Sequence, residues 1–410
     1  MFTFIDLFCG IGGFHQAMKS LGGKCVFASD IDASCRETYE INYHLKPAGD
    51  ITQIDVTDIP QHDVLCAGFP CQAFSKAGKR LGFKDEAKGT LFFDIARILS
   101  HHKPKFALLE NVRNLASHDG GNTWKVIHDT LENLGYNVPD KPTIFSPHYL
   151  GIPQHRERVY IMCIRKDVGT IPEFYFDENK TPVCNIDSVL LRDDEIKDLD
   201  KYKLGKDQIS LIELWNEFLN GIKGKLPGFP IWAEDRLEHL RPGEDLTRYP
   251  KWSRTFILKN NQLYEDNQEF LDKWLTKARQ HPLFFGSKAK LEWQAGTTEK
   301  PNLWDCIMHF RPSGLRVKNG TYFPALVAIT QTSIIGKRKR FLTPRECARL
   351  QSFPDSFVID KRQGQAYKQF GNAVNVECVK LFAKFMFGDQ ETRTRFEKSK
   401  NLNVEQMTLF

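Results

Sequence analysis

A thiol stands directly after a proline in the stretch "CAGFPCQAFS", residues 66–75. Cys66 belongs to an apolar run that predicts a buried strand, whereas Cys71 follows the end of that run, where the backbone can present a side chain to a ligand. A lone cysteine is more often inert packing than a nucleophile. Its interpretation therefore depends on which other reactive groups share its place in the fold.

Further reactive groups flank two other apolar runs. "LLENV" places Glu110 just past a predicted strand, and "QHRERVY" sets Arg156 and Arg158 two residues apart before another, so that both point the same way. In an open α/β sheet, ligands bind beyond the carboxyl ends of the strands. We therefore expect Cys71 and Glu110 to meet at that edge.

A glycine loop, "DLFCGIGGF" at residues 6–14, follows a predicted strand and opens a helix. Glycines there let the backbone approach a ligand, and the helix N-terminus favours an anionic group. The glycines at positions 10, 12 and 13 do not have the G-x-G-x-x-G spacing of dinucleotide-binding loops. A nicotinamide oxidoreductase is therefore a weak interpretation.

Two carboxylates continue this pattern. Asp30 in "SDID" ends the second predicted strand, where it could accept both ribose hydroxyls of a nucleoside. Asp50 in "GDIT" falls at the expected edge of the next strand and could receive an adenine amino group. With the glycine loop, these residues favour a nucleoside cofactor, either S-adenosylmethionine or a dinucleotide, and the glycine spacing favours the former.

Alternating strands and helices must position these groups, and this alternation predicts an α/β fold with a mostly parallel sheet. After about residue 166 the alternation stops, and six of the seven tryptophans follow, which predicts a second domain with its own core. We expect domains at 1–165 and 166–340, a return to the first domain at 341–387 and a polar tail at 388–410. The predicted strands are 3–8, 24–30, 63–68, 106–111 and 158–164, and the predicted helices are 14–22, 90–102, 123–135, 267–281, 342–350 and a helical stretch at 365–387.

The composition restricts the class of protein. The 410 residues are 41% hydrophobic and carry a net charge of +6, which admits nucleic acid as a partner without requiring it. Ten cysteines form no metal-type cluster, which favours reduced thiols and no metal site. The N-terminus lacks a signal-peptide pattern, and no apolar stretch approaches the roughly 20 residues of a membrane span. We expect a cytoplasmic protein that does not enter a membrane.

Six ordered motifs resemble those of the DNA (cytosine-5) methyltransferases of bacterial restriction–modification systems. The match spans roughly residues 2–165 and 340–385 and leaves the middle of the chain unaligned. It implies a Rossmann-like, S-adenosylmethionine-dependent sheet with helices on both faces and a smaller mixed target-recognition domain. The motifs are "FIDLFCGIGGF", "GFPCQAFS", "ENV", "QHRERVY", "RFLTPRECARLQSFP" and "QAYKQFGNAVN".

The resemblance implies methyl transfer from S-adenosylmethionine to C5 of a flipped-out cytosine within a specific duplex DNA sequence. Cys71 would add to C6, because C5 is a poor nucleophile until a thiolate turns the ring into an enamine. Glu110 would hold N3 and the exocyclic amine, Arg158 would contact O2, and Arg156 would orient neighbouring groups. The methylation would protect DNA from a cognate restriction endonuclease, a functional rather than a physical partner.

The same resemblance implies a set of cofactor-binding residues. Asp30 stands where the family more often has glutamate, and Ile31 where an aromatic residue often packs on the adenine. The residues carried over are Phe8, Gly10, Ile11, Gly13, Asp30, Ile31, Asp50, Ile51, Pro70, Leu91, Asn372 and Val374.

Basic and glycine residues at 75–90 predict a mobile lid that closes over DNA. The segment at 311–332 resembles the end of a target-recognition region, although it has Thr330-Gln331 where the family usually has Thr-Leu. The last residues, Gln406–Phe410, resemble peptides that dock on the bacterial replication sliding clamp. The enzyme is expected to be a monomer, and the candidate DNA-binding residues are Ser75, Lys79, Arg80 and Thr330.

Two other functions stay open at this point. An RNA cytosine-5 methyltransferase would have the same fold, but the tRNA-modifying members usually carry Pro-Pro-Cys, whereas Phe69 precedes Pro70 here. A DNA-binding protein with a relic cofactor fold would not need Cys71, Glu110 and Arg158 together. Both are therefore ranked below the DNA methyltransferase.

Overall fold

A computed structural model describes residues 1–70, 91–238, 244–328 and 332–397. Their contacts divide the chain into two compact units. The first unit takes in Met1–Cys184, Ala325–Ala328 and the chain from Cys347 onward; the second takes in Asn185–Pro324 and the chain from Ile329 to Glu346.

The strands of the described chain are numbered in sequence order. They are β1 (Phe2–Leu7), β2 (Gly23–Ser29), β3 (Val64–Gly68), β4 (Phe106–Val112), β5 (Tyr136–Asn137), β6 (Thr143–Phe145), β7 (Gln154–His155), β8 (Arg158–Arg165), β9 (Ile231–Trp232), β10 (Lys290–Gln294), β11 (Ile307–Arg311), β12 (Gly314–Lys318), β13 (Phe323–Pro324), β14 (Ile334–Ile335) and β15 (Arg340–Phe341).

The helices are numbered in the same way. They are α1 (Gly13–Ser20), α2 (Ala33–Tyr43), α3 (Leu91–His102), α4 (Asn122–Asn133), α5 (Lys206–Gly221), α6 (Ala233–Arg236), α7 (Lys251–Asp266), α8 (Gln268–Arg279), α9 (Pro344–Leu350), α10 (Gln363–Asn372), α11 (Val376–Phe387) and α12 (Gln390–Phe396).

The first unit contains a seven-stranded sheet in the order β2-β1-β3-β4-β8-β5, with β6 also paired to β8. Strands β1 to β4 are parallel, so their carboxyl ends meet at one edge. The α/β prediction is confirmed, but the sheet is mixed rather than mostly parallel, because β8 runs antiparallel to β4, β5 and β6. The chain from β5 to β8 contains no α-helix that could serve as the crossover a parallel pairing needs.

Helices cover both faces of this sheet. Alternate strand residues such as Ile5 and Leu65 pack with α3 and α4 in one buried apolar cluster. On the opposite face the ring of Tyr160 stacks on Phe382 of α11, with 4.4 Å between their centroids. The strands that end at the carboxyl edge therefore lie between two packed layers of helices.

The second unit contains a six-stranded sheet in the order β15-β14-β11-β12-β10-β9. One face of β10, β11 and β12 packs against α5 and α8 in a core that includes Trp215 and Trp274, both almost fully buried. The helix predicted at 267–281 is observed as α8. Throughout the described chain, we find no helix with the length and apolarity needed to cross a membrane.

Candidate active site

The glycine loop after β1 takes a conformation that few residue types tolerate. Phe8, Gly10 and Gly12 have φ angles of 53°, 51° and 83°. The amide of Cys9 donates to the carbonyl of Ser29 at 3.0 Å, which ties the loop to the end of β2. Positive φ costs an L-residue free energy but costs glycine little, and this explains two of the three loop glycines.

Close approach of neighbouring side chains explains the tight part of the loop. A Cβ atom on Gly12 would lie 2.3 Å from Cε2 of Tyr43, and one on Gly13 would lie 2.6 Å from Cγ2 of Val374. The Tyr43 hydroxyl also donates to the Gly12 carbonyl at 2.9 Å. At Gly10, by contrast, a Cβ atom would meet no atom of the described residues within 4 Å, so its backbone faces space that a ligand can fill.

Asp30 is fixed against this loop. Its Oδ2 accepts the amide of Gly10 at 2.7 Å, and its Oδ1 accepts the amide of Asp32 at 2.8 Å. Burial raises the pKa of Asp30 above its ordinary value. Each oxygen keeps a second lone pair, so the carboxyl group can still accept from a ribose hydroxyl. Ile31, which follows it, is 75% exposed.

Asp50 does not lie at the edge of a strand, and that prediction is wrong. Ala48 forms only an isolated parallel bridge with Ser29, and the next strand, β3, begins at Val64. The Asp50 carboxylate instead accepts the amide of Thr52 at 3.0 Å and caps a short 3₁₀ helix. Asp-x-Thr favours such a cap over a strand, because the side chain satisfies a free backbone donor. Ile51, the first residue of that helix, is buried.

Glu110 and Arg158 form a largely buried ion pair, with 3.1 Å between Oε1 and Nε. Glu110 lies opposite Gly68 in the β3–β4 register, at the edge where both strands end. Burial raises the pKa of Glu110, and the positive charges of Arg158 and Arg156 oppose that rise. The carboxyl group is therefore able to retain a proton at higher pH than an exposed glutamate.

Arg156 is buried and binds backbone rather than another side chain. Its guanidinium donates to the carbonyls of Leu326, Gly371 and Ala373 at 2.8–3.0 Å. Burial, followed by repulsion from Arg158, lowers the pKa of Arg156 to about 9. The contacts fasten the turn after α10 to the segment at 325–328.

That turn brings Val374 to the glycine loop. Val374 is buried against Gly13, and its Cγ1 lies 3.4 Å from where a Cβ of Gly68 would stand. Asn372 is exposed at the end of α10, and Leu91, at the start of α3, is half-buried. The described residues thus place the glycine loop, the end of β3 and the turn after α10 side by side.

Sequence reasoning missed Asn111, which holds the backbone at Phe69 in place. Its Nδ2 donates to the carbonyl of Phe69 at 2.8 Å, while its Oδ1 accepts the amide of Val112. The sequence contained a signal for this role: Asn111 is a polar residue at the end of a predicted strand, directly after Glu110. A polar side chain that is buried in a strand needs a specific hydrogen-bond partner. Pro70 is exposed and ends the described segment. The predicted residues Cys71, Ser75, Lys79, Arg80 and Thr330 lie outside the described residues.

The geometry fits a nucleoside cofactor. Gly10 presents open backbone, Asp30 offers carboxyl lone pairs beside it, and Val374 offers an apolar surface next to the end of β3. This combination serves a ligand with a ribose and an apolar part. Among the described residues, no group of three or more His, Cys, Asp or Glu side chains could hold a metal ion.

Comparisons with known proteins identify the family. Residues 2–387 match the C-5 cytosine-specific DNA methylase family. The chain is 35% identical to the Type II methyltransferase M.AluI of Cellulosimicrobium cellulans, covering 92% of this chain and 90% of that protein. It is 34% identical to M.HhaI of Haemophilus parahaemolyticus, covering 93% and 92%.

A solved structure shows the same fold. DNMT2 of Spodoptera frugiperda superposes with a TM-score of 0.52 at 19% identity, covering 94% of this chain and 100% of that chain. The family match spans both the glycine loop and the turn after α10. The chain therefore belongs to the C-5 cytosine-specific DNA methylases and is a DNA (cytosine-5)-methyltransferase that uses S-adenosylmethionine.

Proposed function

We propose that the enzyme methylates a cytosine flipped out of a specific duplex DNA sequence, through a covalent bond between Cys71 and C6. The observation that carries this proposal is the buried Glu110–Arg158 pair at the carboxyl edge. Gly68 lies opposite Glu110, and Cys71 follows Gly68 by three residues in sequence. A nucleophile and a proton-retaining carboxyl group are the two groups that activation of cytosine requires.

In the proposed reaction, the Cys71 thiolate adds to C6 and the ring electrons move towards C5. The Glu110 carboxyl group donates a proton to N3 and accepts from the exocyclic amine, which compensates the charge that develops. Arg158 donates to O2 of the base. Bound S-adenosylmethionine supplies the methyl group. When a base removes the C5 proton, the C5=C6 double bond re-forms, the bond between C6 and the Cys71 sulfur breaks with its electron pair going to sulfur, and N3 returns its proton to Glu110.

The cofactor would lie along the glycine loop. Asp30 would accept from the ribose hydroxyls, and Gly10 would allow close approach of the backbone. We assign the rest of the pocket by the family match and the proximity described above. The remaining residues of this proposed set are Phe8, Ile11, Gly13, Ile31, Asp50, Ile51, Pro70, Leu91, Asn372 and Val374.

DNA would be held by the basic segment at 75–90, including Ser75, Lys79 and Arg80, and by Thr330. Since the target carbon cannot be reached inside a duplex, the cytosine must leave the stack. The Type II methyltransferases among the relatives support a role in restriction–modification. We propose that methylation protects DNA from a cognate nuclease, and that the enzyme acts as a monomer.

The deciding experiment traps the covalent step. The enzyme is incubated with tritiated S-adenosylmethionine and duplex DNA that contains 5-fluorocytosine, beside a Cys71→Ser control. Fluorine cannot leave C5 as a cation, so a labelled, denaturant-resistant adduct that needs Cys71 is expected. An adduct on RNA alone would move the substrate to the RNA-modifying class, and no adduct on either would refute the covalent mechanism.

The clamp-binding prediction at Gln406–Phe410 lies outside the described residues and stays a prediction. According to this prediction, the peptide binds the sliding clamp and so brings the enzyme to newly replicated DNA. A pull-down with the purified sliding clamp tests it, with a chain lacking residues 406–410 as the control. Equal capture of the two chains would refute it.

A further inference from the structure

One row of polar side chains crosses three strands of the second unit. Glu292 of β10 lies opposite Arg316 of β12, and Arg316 lies opposite His309 of β11. The Arg316 Nε atom donates to Oε2 of Glu292 at 2.6 Å. Lys318 and Arg311 flank this row on β12 and β11. We call these five residues the polar sheet face.

The polar sheet face is the side of the sheet that the core does not use. Leu291, Met308, Leu315 and Val317, which alternate with its members along the strands, are buried in the apolar core of the unit. Successive residues of a strand point to opposite faces, so the five polar side chains share the other face. The sheet thus has an apolar face that packs in the core and a polar face on which Arg311, Arg316 and Lys318 are partly exposed.

Positive charge is crowded on this face. Three of the five residues, Arg311, Arg316 and Lys318, are basic, and the one acidic residue among the five, Glu292, pairs with Arg316. Burial, together with repulsion from neighbouring arginines, lowers the pKa of both Arg311 and Lys318. Such crowding costs stability, and an anionic ligand or one rich in hydrogen-bond acceptors would relieve it.

His309 independently points to a ligand. Only 4% of the residue is exposed, yet neither ring nitrogen has a hydrogen-bond partner among the described residues. Buried polar groups in folded proteins are nearly always paired. A buried imidazole next to Arg316 that has no partner among the described residues therefore points to a polar ligand at this face.

Arg316 is prepared to read a base edge. Glu292 fixes the guanidinium through Nε, while the described residues offer no acceptor to Nη1 and Nη2. A guanidinium with two parallel free N–H donors matches O6 and N7 of guanine in the major groove. Because Glu292 holds the Arg316 guanidinium before DNA binds, less conformational entropy is lost on binding.

We propose that the polar sheet face reads DNA sequence, with Arg316 as a guanine-specific contact held by Glu292, and with Lys318 and Arg311 on phosphates. This inference rests on the proposed action on a specific duplex sequence and names the residues that specify it. It requires a guanine at a fixed position in the recognition sequence. Arg316 is a specificity residue, distinct from the groups that act on cytosine.

The test maps methylated cytosines in random-sequence duplex DNA by bisulfite sequencing. Wild-type enzyme should give a motif with an invariant guanine, and Arg316→Gln should relax that position alone, lowering kcat/KM on the wild-type site about 10–100-fold. Glu292→Gln should do the same more weakly. Lys318→Ala should weaken binding on all sequences and reduce its salt dependence without changing the motif.

Lys273→Ala is the matched control, since Lys273 is an exposed cation of the same unit on α8. S-adenosylmethionine affinity should be unchanged in every variant, which separates lost recognition from misfolding. An Arg316→Gln enzyme that keeps the wild-type motif, at any activity, would overturn the inference. A wild-type adduct on 5-fluorocytosine DNA would still stand in that case, so the two proposals fail separately.

Discussion

The Nε atom of Arg158 lies 3.1 Å from Oε1 of Glu110, and this pair joins the start of β8 to the end of β4. The carboxyl group is buried, and burial raises its pKa, while the positive charges of Arg158 and Arg156 oppose that rise. Burial favours the protonated carboxyl group of Glu110, and the two arginines favour its carboxylate. Glu110 can therefore change its protonation state when a ligand alters these contacts. It is the structural reason for assigning acid–base work to Glu110.

Glu110→Gln should lower kcat about 10²–10⁴-fold with little change in S-adenosylmethionine affinity, because the amide cannot donate an acidic proton. Since the pKa of Glu110 is raised, wild-type kcat should fall as pH rises through that folded-state pKa. The variant should lack this decline. Rapid-quench methylation across pH measures both, and an identical pH profile in the two enzymes would contradict the role.

Gly12→Ala should weaken S-adenosylmethionine binding severely, because its Cβ would lie 2.3 Å from the ring of Tyr43. Gly22→Ala is the matched control: Gly22 has the same φ of 83° but no described atom within 4 Å of the added Cβ. Calorimetric titration with the cofactor should separate the two variants. Equal affinities in the two variants would contradict the prediction that the clash with Tyr43 disturbs the cofactor site.

Tyr43→Phe should weaken cofactor binding about 2–10-fold, because the hydroxyl that holds the Gly12 carbonyl is lost while the ring remains. The KM for S-adenosylmethionine should rise, and the rate of the bound complex should stay near that of wild type. A fall in kcat at saturating cofactor would instead place Tyr43 in the chemical step.

Arg156→Met should lower the free energy of unfolding by about 3–5 kcal/mol, since three buried carbonyls would lose a charged donor. Arg113→Met, at an exposed arginine paired with Glu157, should change it by less than about 1 kcal/mol. Chemical denaturation of both variants measures the difference. Comparable losses would contradict the structural role given to Arg156.

His15 should make stability depend on pH. Burial, with a smaller contribution from Lys19, lowers the pKa of His15 to about 3, and its Nδ1 lies 2.7 Å from the Tyr39 hydroxyl. Below pH 6.5 the unfolded chain takes up a proton there that the folded protein does not. Stability is therefore fully present above that pH and is lost on acidification, by about 2 kcal/mol at pH 5.

Denaturation should show that, between pH 7 and pH 5, His15→Gln loses about 2 kcal/mol less stability than wild type. The loss that remains comes from the other histidines whose pKa burial lowers, His62, His148 and His309. The quantity compared is the change in the free energy of unfolding between pH 7 and pH 5 in each protein, because the substitution also changes packing at both pH values. If this change in the free energy of unfolding is the same in both proteins, His15 takes up its proton equally in the folded and unfolded states.

Much of the first unit could be predicted from the sequence, because hydrophobic periodicity and glycine spacing are local signals. Strands β1, β2, β3, β4 and β8 lie within one or two residues of their predicted places. Motif order predicted the family, which the comparisons confirm. The proximity of Glu110 to the strand before Cys71 also followed from the rule that parallel strands end at one edge.

Tertiary structure alone decided the rest. Strand β8 runs antiparallel because of its pairing with strands distant in sequence, whereas the Asp50 cap followed from a local Asp-x-Thr signal that the sequence already contained. Arg156 binds carbonyl groups that lie 170 or more residues away in the sequence. The row Glu292, Arg316 and His309 forms only because of the register in which β10, β12 and β11 pair. Periodicity in sequence tells which face a residue occupies; only the pairing of distant strands tells which residues stand beside it.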